Sequence, residues 1–222
     1  MFVIIAASAC RKDPKKKYQD FITVLGFIGF SIIATFLQDL ILRLVPHTID
    51  ASLLRIDRQL GFDAIQFLGF MRWHHSLWAA LQIPYLWLPV VMAIAWVSEQ
   101  SYELRWAVLL GGVFCWFFYA AFPAAGPSYF FTGVADSAPR NCMPSMHFAW
   151  ALMLAVYSRS WLRTFLWIYA AVIAFATLAL GEHYIIDLIA AVPYTWAISY
   201  TSDRVFRSSL LQPSRAEIAP AN

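Results

Sequence analysis

Lysine disappears from this chain after position 17. Its four lysines, Lys12, Lys15, Lys16 and Lys17, sit in the tract RKDPKKK, and none follows. Charge of either sign is scarce. Asp, Glu, Lys and Arg make up 13% of the 222 residues, about half the share of a soluble domain. The net charge of +3 is too small to mark a nucleic-acid surface, which needs dense positive charge against phosphates. Cysteine is equally thin. Cys10, Cys115 and Cys142 are odd in number and far apart, which excludes a disulfide framework and any metal-ligand spacing. No metal and no cofactor is expected. Cys142 reads as a small packing residue. No internal repeat and no low-complexity tract is present.

What fills the chain instead is apolar. Hydrophobic residues reach 61% and aromatics 17%, the composition of a polytopic membrane protein with one helical domain and no room for a second. A spanning helix needs about 20 mostly apolar residues. Six stretches approach this: Phe21–Leu37 and on towards Val45, Leu77–Val97, Trp106–Phe122, Cys142–Ser158, Thr164–Gly181 and His183–Ser202. The predicted fold is all-α, a single bundle of six transmembrane helices over 21–205. A basic cytoplasmic segment over 1–20 precedes it and a cytoplasmic tail over 206–222 follows. The opening MFVIIAASAC is too short to span and lacks a basic lead. It reads as an interfacial segment or the remnant of a truncated or mis-started chain.

Orientation follows from Lys and Arg near the helix ends. With the N-terminus inside, eleven of these residues fall inside and five outside, namely Arg43, Arg55, Arg58, Arg72 and Arg140. Both termini are therefore expected in the cytoplasm, and RKDPKKK reads as the topology anchor, with a specific anionic-lipid site as the alternative. The two long loops, 46–76 and 123–141, fall outside, the face where a site is expected.

This topology places two histidines together. His147 and His183 each begin a helix that runs from outside to inside, so both reach the outer face at similar depth. His183 and Asp187 are four apart and share a helix face. A carboxylate there can fix the imidazole tautomer and raise the basicity of its other nitrogen, as in a histidine nucleophile or base. The plainer alternative is a His–Asp pair that stabilises a helix end. Before His147, Pro144 and Ser145 form a helix start, with Ser145 as N-cap. Free amides at a helix start attract anions, although an ordinary capped helix would look the same. An anion held by amides and arginine, facing a His backed by Asp, suits phosphoryl transfer. At headgroup depth, the expected partner is a phospholipid or lipid phosphate. Arg140, four residues before Pro144, is the first choice for positive charge, ahead of Arg72 and Arg43. Glu182 has no assigned role, and Tyr129 could offer a hydroxyl.

In order and spacing, PSMH followed by HYIID resembles the second and third signature motifs of the type 2 phosphatidic acid phosphatase (PAP2) superfamily. CMPSMHFAWAL with GEHYIIDLIA, and IDRQLGFD upstream, resemble the branch that includes the inositol-phosphorylceramide synthases. The resemblance implies that His183 attacks phosphorus and becomes a phosphohistidine and that Asp187 orients it. It also implies that His147 protonates the leaving group and that Ser145 and nearby amides cradle the phosphoryl oxygens. It implies no metal. Three departures stand out. The lysine-led first motif is absent, and FPAAGPSYFF occupies its place. Thr177 stands where an arginine is usual, and Met146 replaces a glycine. The functional expectation is an integral-membrane lipid phosphotransferase, with a lipid hydroxyl such as that of ceramide or diacylglycerol as acceptor. The alternatives are a lipid phosphate phosphatase, in which water takes that part, and a non-catalytic lipid-binding protein with a degraded site. A subunit of a larger complex is a weaker alternative. The short loops and compact size point to a bacterial inner membrane, with the site facing outward.

Overall fold

The computed structural model describes residues 14–99, 101–159 and 161–210. MFVIIAASAC and the end of the tail lie outside them, as do Arg11 and Lys12 of the basic tract. The described chain is helical, with no strand among its residues. In order, the helices are α1 (Pro14–Leu44), α2 (Asp50–Gln59), α3 (Ala64–Trp73), α4 (His75–Leu86), α5 (Leu88–Glu99), α6 (Tyr102–Ala121), α7 (Pro127–Thr132), α8 (Met146–Tyr157), α9 (Leu162–Ala179) and α10 (Ile185–Leu210). A short 3₁₀ turn, Ala135–Ser137, follows α7.

Three segments are long and apolar enough to cross a membrane: His75–Trp96, formed by α4 and α5, Glu103–Ala121 in α6 and Leu162–Ala179 in α9. They coincide closely with three of the six predicted spans. The fourth predicted span differs. α8 has 12 residues, about 18 Å at 1.5 Å per residue, well short of a hydrocarbon core of about 30 Å. Residues 142–145 are loop and cap rather than helix. The N-terminal segment differs too, because α1 begins at Pro14, inside the predicted basic stretch.

α8 is the packing centre, lying against α9, α10 and α6. Its inward positions include Ala149, Ala151 and Ala155, all fully buried, and Ala170, Ala176 and Ala191 are buried on its neighbours. Small side chains let helix backbones approach where no hydrophobic force separates protein from lipid. Large apolar residues such as Phe117, Ile168 and Trp196 stay exposed on the outer faces, as a lipid-facing surface requires. The chain is a membrane protein.

The long segment 46–76, read from sequence as an outer loop, holds two helices. α2 and α3 form a layer at one end of the bundle, where α2 meets α7 and α10 and α3 meets α7 and α9. Asp63 caps α3, accepting from the amides of Ile65 and Gln66 at 3.0 and 3.1 Å. This layer braces the chain segments that carry the histidines.

Candidate active site

His183 lies in the turn between α9 and α10. It is 4% exposed, and its Nδ1 is 2.8 Å from the backbone carbonyl oxygen of Cys142. A carbonyl can only accept, so Nδ1 carries the proton and Nε2 is left with the lone pair. That is the tautomer of a nucleophile. Asp187 Oδ2 is farther from Nδ1, at 3.6 Å. The two side chains are adjacent, but not on one helix face as expected: His183 precedes α10, which begins at Ile185, and the backbone of the 141–145 loop makes the shorter contact.

Asp187 is fully buried. Its Oδ2 accepts from the Tyr184 amide at 2.7 Å and from the Cys142 thiol at 2.9 Å. Burial, with the negative charge of Asp187, pushes the Cys142 thiol well above its ordinary pKa, so the sulfur stays protonated and donates. Cys142 therefore touches both partners: its carbonyl orients His183 and its thiol holds Asp187. Asp187 Oδ1 has no hydrogen-bond partner among the described residues. Cys142, His183 and Asp187 bring one metal-capable atom each within 4.8 Å of one another. Their internal hydrogen bonds already account for that closeness.

His147 sits in the first turn of α8, its ring centroid 6.4 Å from that of His183. It stacks on Tyr85 at 4.0 Å. Ser145 caps the helix: its Oγ accepts from the Phe148 amide at 3.5 Å, and its amide donates to the Asp187 carbonyl at 3.3 Å. The first-turn amides of Met146 and His147 have no intrahelical acceptor. Both histidines line one cavity of about 200 Å³, enough for a headgroup but smaller than the roughly 300–1,000 Å³ of typical ligand pockets. Met146, Trp150, Tyr85, Asn141 and Glu182 share its wall, with Phe30 and Gln38 from α1 and Cys115, Trp116 and Tyr119 from α6.

The structure brings His147, His183, Asp187, Ser145 and Met146 together. It does not bring Arg140 into this group. Arg140 is 1% exposed. Its guanidinium donates to the carbonyls of Ala135, Ala138 at 2.7 Å, Pro46 at 3.0 Å and Val45 at 3.4 Å. It therefore ties the loop before α8 to the end of α1. Tyr129, on α7, packs beside Ala125, Ala135 and Ala138 and does not line the cavity. Arg43 pairs with Asp39 at 2.8 Å on an exposed surface, and Arg72 stacks over Phe131 at 5.8 Å. Neither lines the cavity.

Two residues without an expected role prove central to the architecture. Asp50 and Asp57, both fully buried on α2, are seven apart and so share a helix face. Asp50 accepts from the amides of Ala125 at 3.0 Å and Gly126 at 2.8 Å, and from the Tyr184 hydroxyl at 2.9 Å. Asp57 accepts from the amides of Ile185 and Ile186 at 2.8 and 3.1 Å, capping α10 from another helix. Burial raises the Asp57 pKa, the two amides oppose this, and Asp187 adds a smaller push upward. The readable signal was two acids on one helix face in a chain with few acids. Gly126 completes the brace with φ +105°. A Cβ there would lie 2.6 Å from the carbonyl oxygen of Glu182, so only glycine lets the FPAAG loop meet the His183 turn.

No curated protein and no solved structure matches the chain. The sequence model of the PAP2 superfamily matches residues 51–201, which run from the α2 brace through both histidines and the Cys142 loop into α10. The chain belongs to the PAP2 superfamily, whose members are broadly phosphatases and phosphotransferases.

Proposed function

We propose that this protein is an integral-membrane lipid phosphotransferase that works through a phosphohistidine at His183. The observation that carries the reading is the bond from His183 Nδ1–H to the Cys142 carbonyl, in a cavity shared with a second histidine. That bond leaves Nε2 as the nucleophile. Nε2 attacks the phosphorus of a phosphate-bearing membrane lipid, and the bond to the leaving oxygen breaks. His147 gives that oxygen its proton. The amides at the start of α8, beside Ser145 and Met146, hold the phosphoryl oxygens. Asp187 stabilises the charge that develops on the His183 ring. A lipid hydroxyl then takes the phosphoryl group, as in an inositol-phosphorylceramide-synthase-like reaction.

A second reading has water resolve the same intermediate, which would make the protein a lipid phosphate phosphatase. Among the described residues no lysine or arginine lines the cavity, which favours the first reading. A dianionic phosphomonoester calls for more positive charge than a diester does. We place the enzyme in a bacterial inner membrane as a six-span bundle, with both termini cytoplasmic and the cavity facing outward.

Incubation of purified protein with ³²P-labelled phospholipid, quenched in base, would capture an acid-labile phosphoprotein. His183→Ala should abolish both the label and turnover, a loss of at least about 1,000-fold. Retained turnover in that variant would overturn the nucleophile assignment. Added ceramide or diacylglycerol should yield a new headgroup-bearing lipid, whereas release of free phosphate or phosphate ester alone would select the phosphatase reading.

A further inference from the structure

Glu182 is a carboxylate in the cavity wall that the phosphohistidine scheme leaves unused. It precedes the nucleophile and is the only carboxylate lining a cavity that, among the described residues, has no lysine or arginine in its wall. Its backbone is held on three sides. The amide donates to the Thr177 carbonyl at 3.0 Å, the carbonyl oxygen lies 3.2 Å from the Cys142 sulfur, and Gly126 packs against that carbonyl. Its side chain makes no hydrogen bond among the described residues. The buried carboxylates of the α2 brace offer a contrast, because each is taken up by amides of another segment. A carboxylate partly buried in a cavity, beside a nucleophile and without a donor among the described residues, is placed to receive a donor from the ligand.

We propose that Glu182 accepts the hydroxyl of the incoming lipid acceptor and takes its proton as that oxygen attacks the phosphohistidine, which makes it the residue that selects transfer over hydrolysis. The inference rests on the phosphohistidine reading above. In this second half-reaction the hydroxyl oxygen forms a bond to phosphorus and the P–Nε2 bond breaks, its electron pair returning to His183. The hydroxyl proton passes to Glu182 and then to His147, which lost one to the first leaving group. Protons and charge balance over the cycle. Burial raises the pKa of Glu182, with the neighbouring His183 opposing, so it is a stronger base than a surface glutamate. The same negative charge repels a dianionic phosphomonoester more than a monoanionic diester. The substrate class is then a phosphodiester lipid as donor and a hydroxyl-bearing lipid as acceptor.

The test compares wild type with Glu182→Gln and Glu182→Asp in detergent micelles, with ³²P-labelled phosphatidylinositol as donor and ceramide as acceptor. Labelled phosphoprotein, transferred lipid and water-soluble phosphate are counted separately. Glu182→Gln should lower transfer per phosphoprotein formed by about a hundredfold, within the range for loss of a general base. The balance should shift towards hydrolysis. Glu182→Asp, which keeps the carboxylate, should recover part of the transfer. An unchanged partition ratio in Glu182→Gln, or equal losses of labelling and transfer, would overturn the proposal and leave Glu182 a structural residue. If wild type forms no acid-labile phosphoprotein, the phosphohistidine reading itself fails. That failure appears without any variant, so the two are distinguishable.

Discussion

Three aspartates among the described residues are completely buried, and they divide into two kinds. Asp50 and Asp57 on α2 face the main chain of distant segments, where amides of Ala125, Gly126, Ile185 and Ile186 satisfy them. Asp187 on α10 has Oδ2 bonded to Tyr184 and Cys142, while Oδ1 has no partner among the described residues. Residues 184–187 join the two kinds. Tyr184 gives its amide to Asp187 and its hydroxyl to Asp50, and the next two amides go to Asp57. A buried carboxylate with all its acceptors engaged is architecture. One that keeps capacity beside an imidazole can answer a change of charge there. The comparison predicts that equivalent Asp→Asn changes will separate activity from stability.

The largest effect should come from Asp187→Asn. Where an aspartate alone fixes the tautomer of a catalytic histidine, its loss costs roughly 10⁴-fold. Here the Cys142 carbonyl keeps Nδ1 protonated, so turnover should fall by only about a hundredfold, equivalent to about 2.7 kcal/mol. Steady-state assay with a thermal melt of the same sample checks this. A loss near 10⁴ would mean that the carbonyl does not hold the tautomer. A melt shifted as far as that of the α2 variant below would dissolve the distinction between the two kinds.

Asp57→Asn should show the opposite balance. An amide side chain can serve only one of the Ile185 and Ile186 amides with its oxygen, and its NH₂ meets the other. Leaving a buried donor unsatisfied costs about 2 kcal/mol. Fluorescence-monitored unfolding in detergent should register that loss. Turnover per folded molecule should change less than threefold, since a threefold change is below 1 kcal/mol. A large fall in turnover at unchanged stability would show that Asp57 acts on the reaction through the start of α10.

Why was one kind legible in the sequence and the other not? His147, His183 and Asp187 could be read because their chemistry is local. A four-residue spacing brings His183 and Asp187 close even though His183 lies just before α10 rather than on it, and the sidedness of the spans was the signal that brought His147 to the same end. Three spans were legible as uninterrupted apolar runs. The partners of Asp50 and Asp57 lie up to 134 residues away in the chain, and no local pattern announces a carboxylate that caps another element. Arg140 shows the same limit in reverse. As a lone arginine in a Gly/Pro/Ser-rich loop it read as charge available to a phosphate, whereas four main-chain carbonyls surround its guanidinium. Carbonyl direction depends on backbone dihedrals that composition does not reveal. Cys142 read as packing for the same reason, since both of its site contacts require the loop to fold back onto α10.

A fourth aspartate sharpens the comparison at its weak end. Asp63 lies at the surface, caps α3 and pairs with Arg58 at 2.7 Å. Its pKa is lowered, first by the Gln66 amide, with burial opposing and with Arg58 and the Ile65 amide adding smaller pulls downward. A carboxylate with a depressed folded-state pKa stabilises the fold above its unfolded value, near 3.9, and that contribution disappears as the pH falls through the lower folded value. Asp63→Ala should therefore cost about 1 kcal/mol at neutral pH, the usual worth of an N-cap, and the gap from wild type should narrow on acidification below pH 4. Melting both proteins at neutral and acidic pH tests it. Such a partly buried cap holds one helix end, so turnover should not change. If Asp63→Ala lowered turnover while the melt stayed in place, the α2–α3 layer would be coupled to the cavity, and the line between architecture and chemistry at this end of the bundle would have to be redrawn.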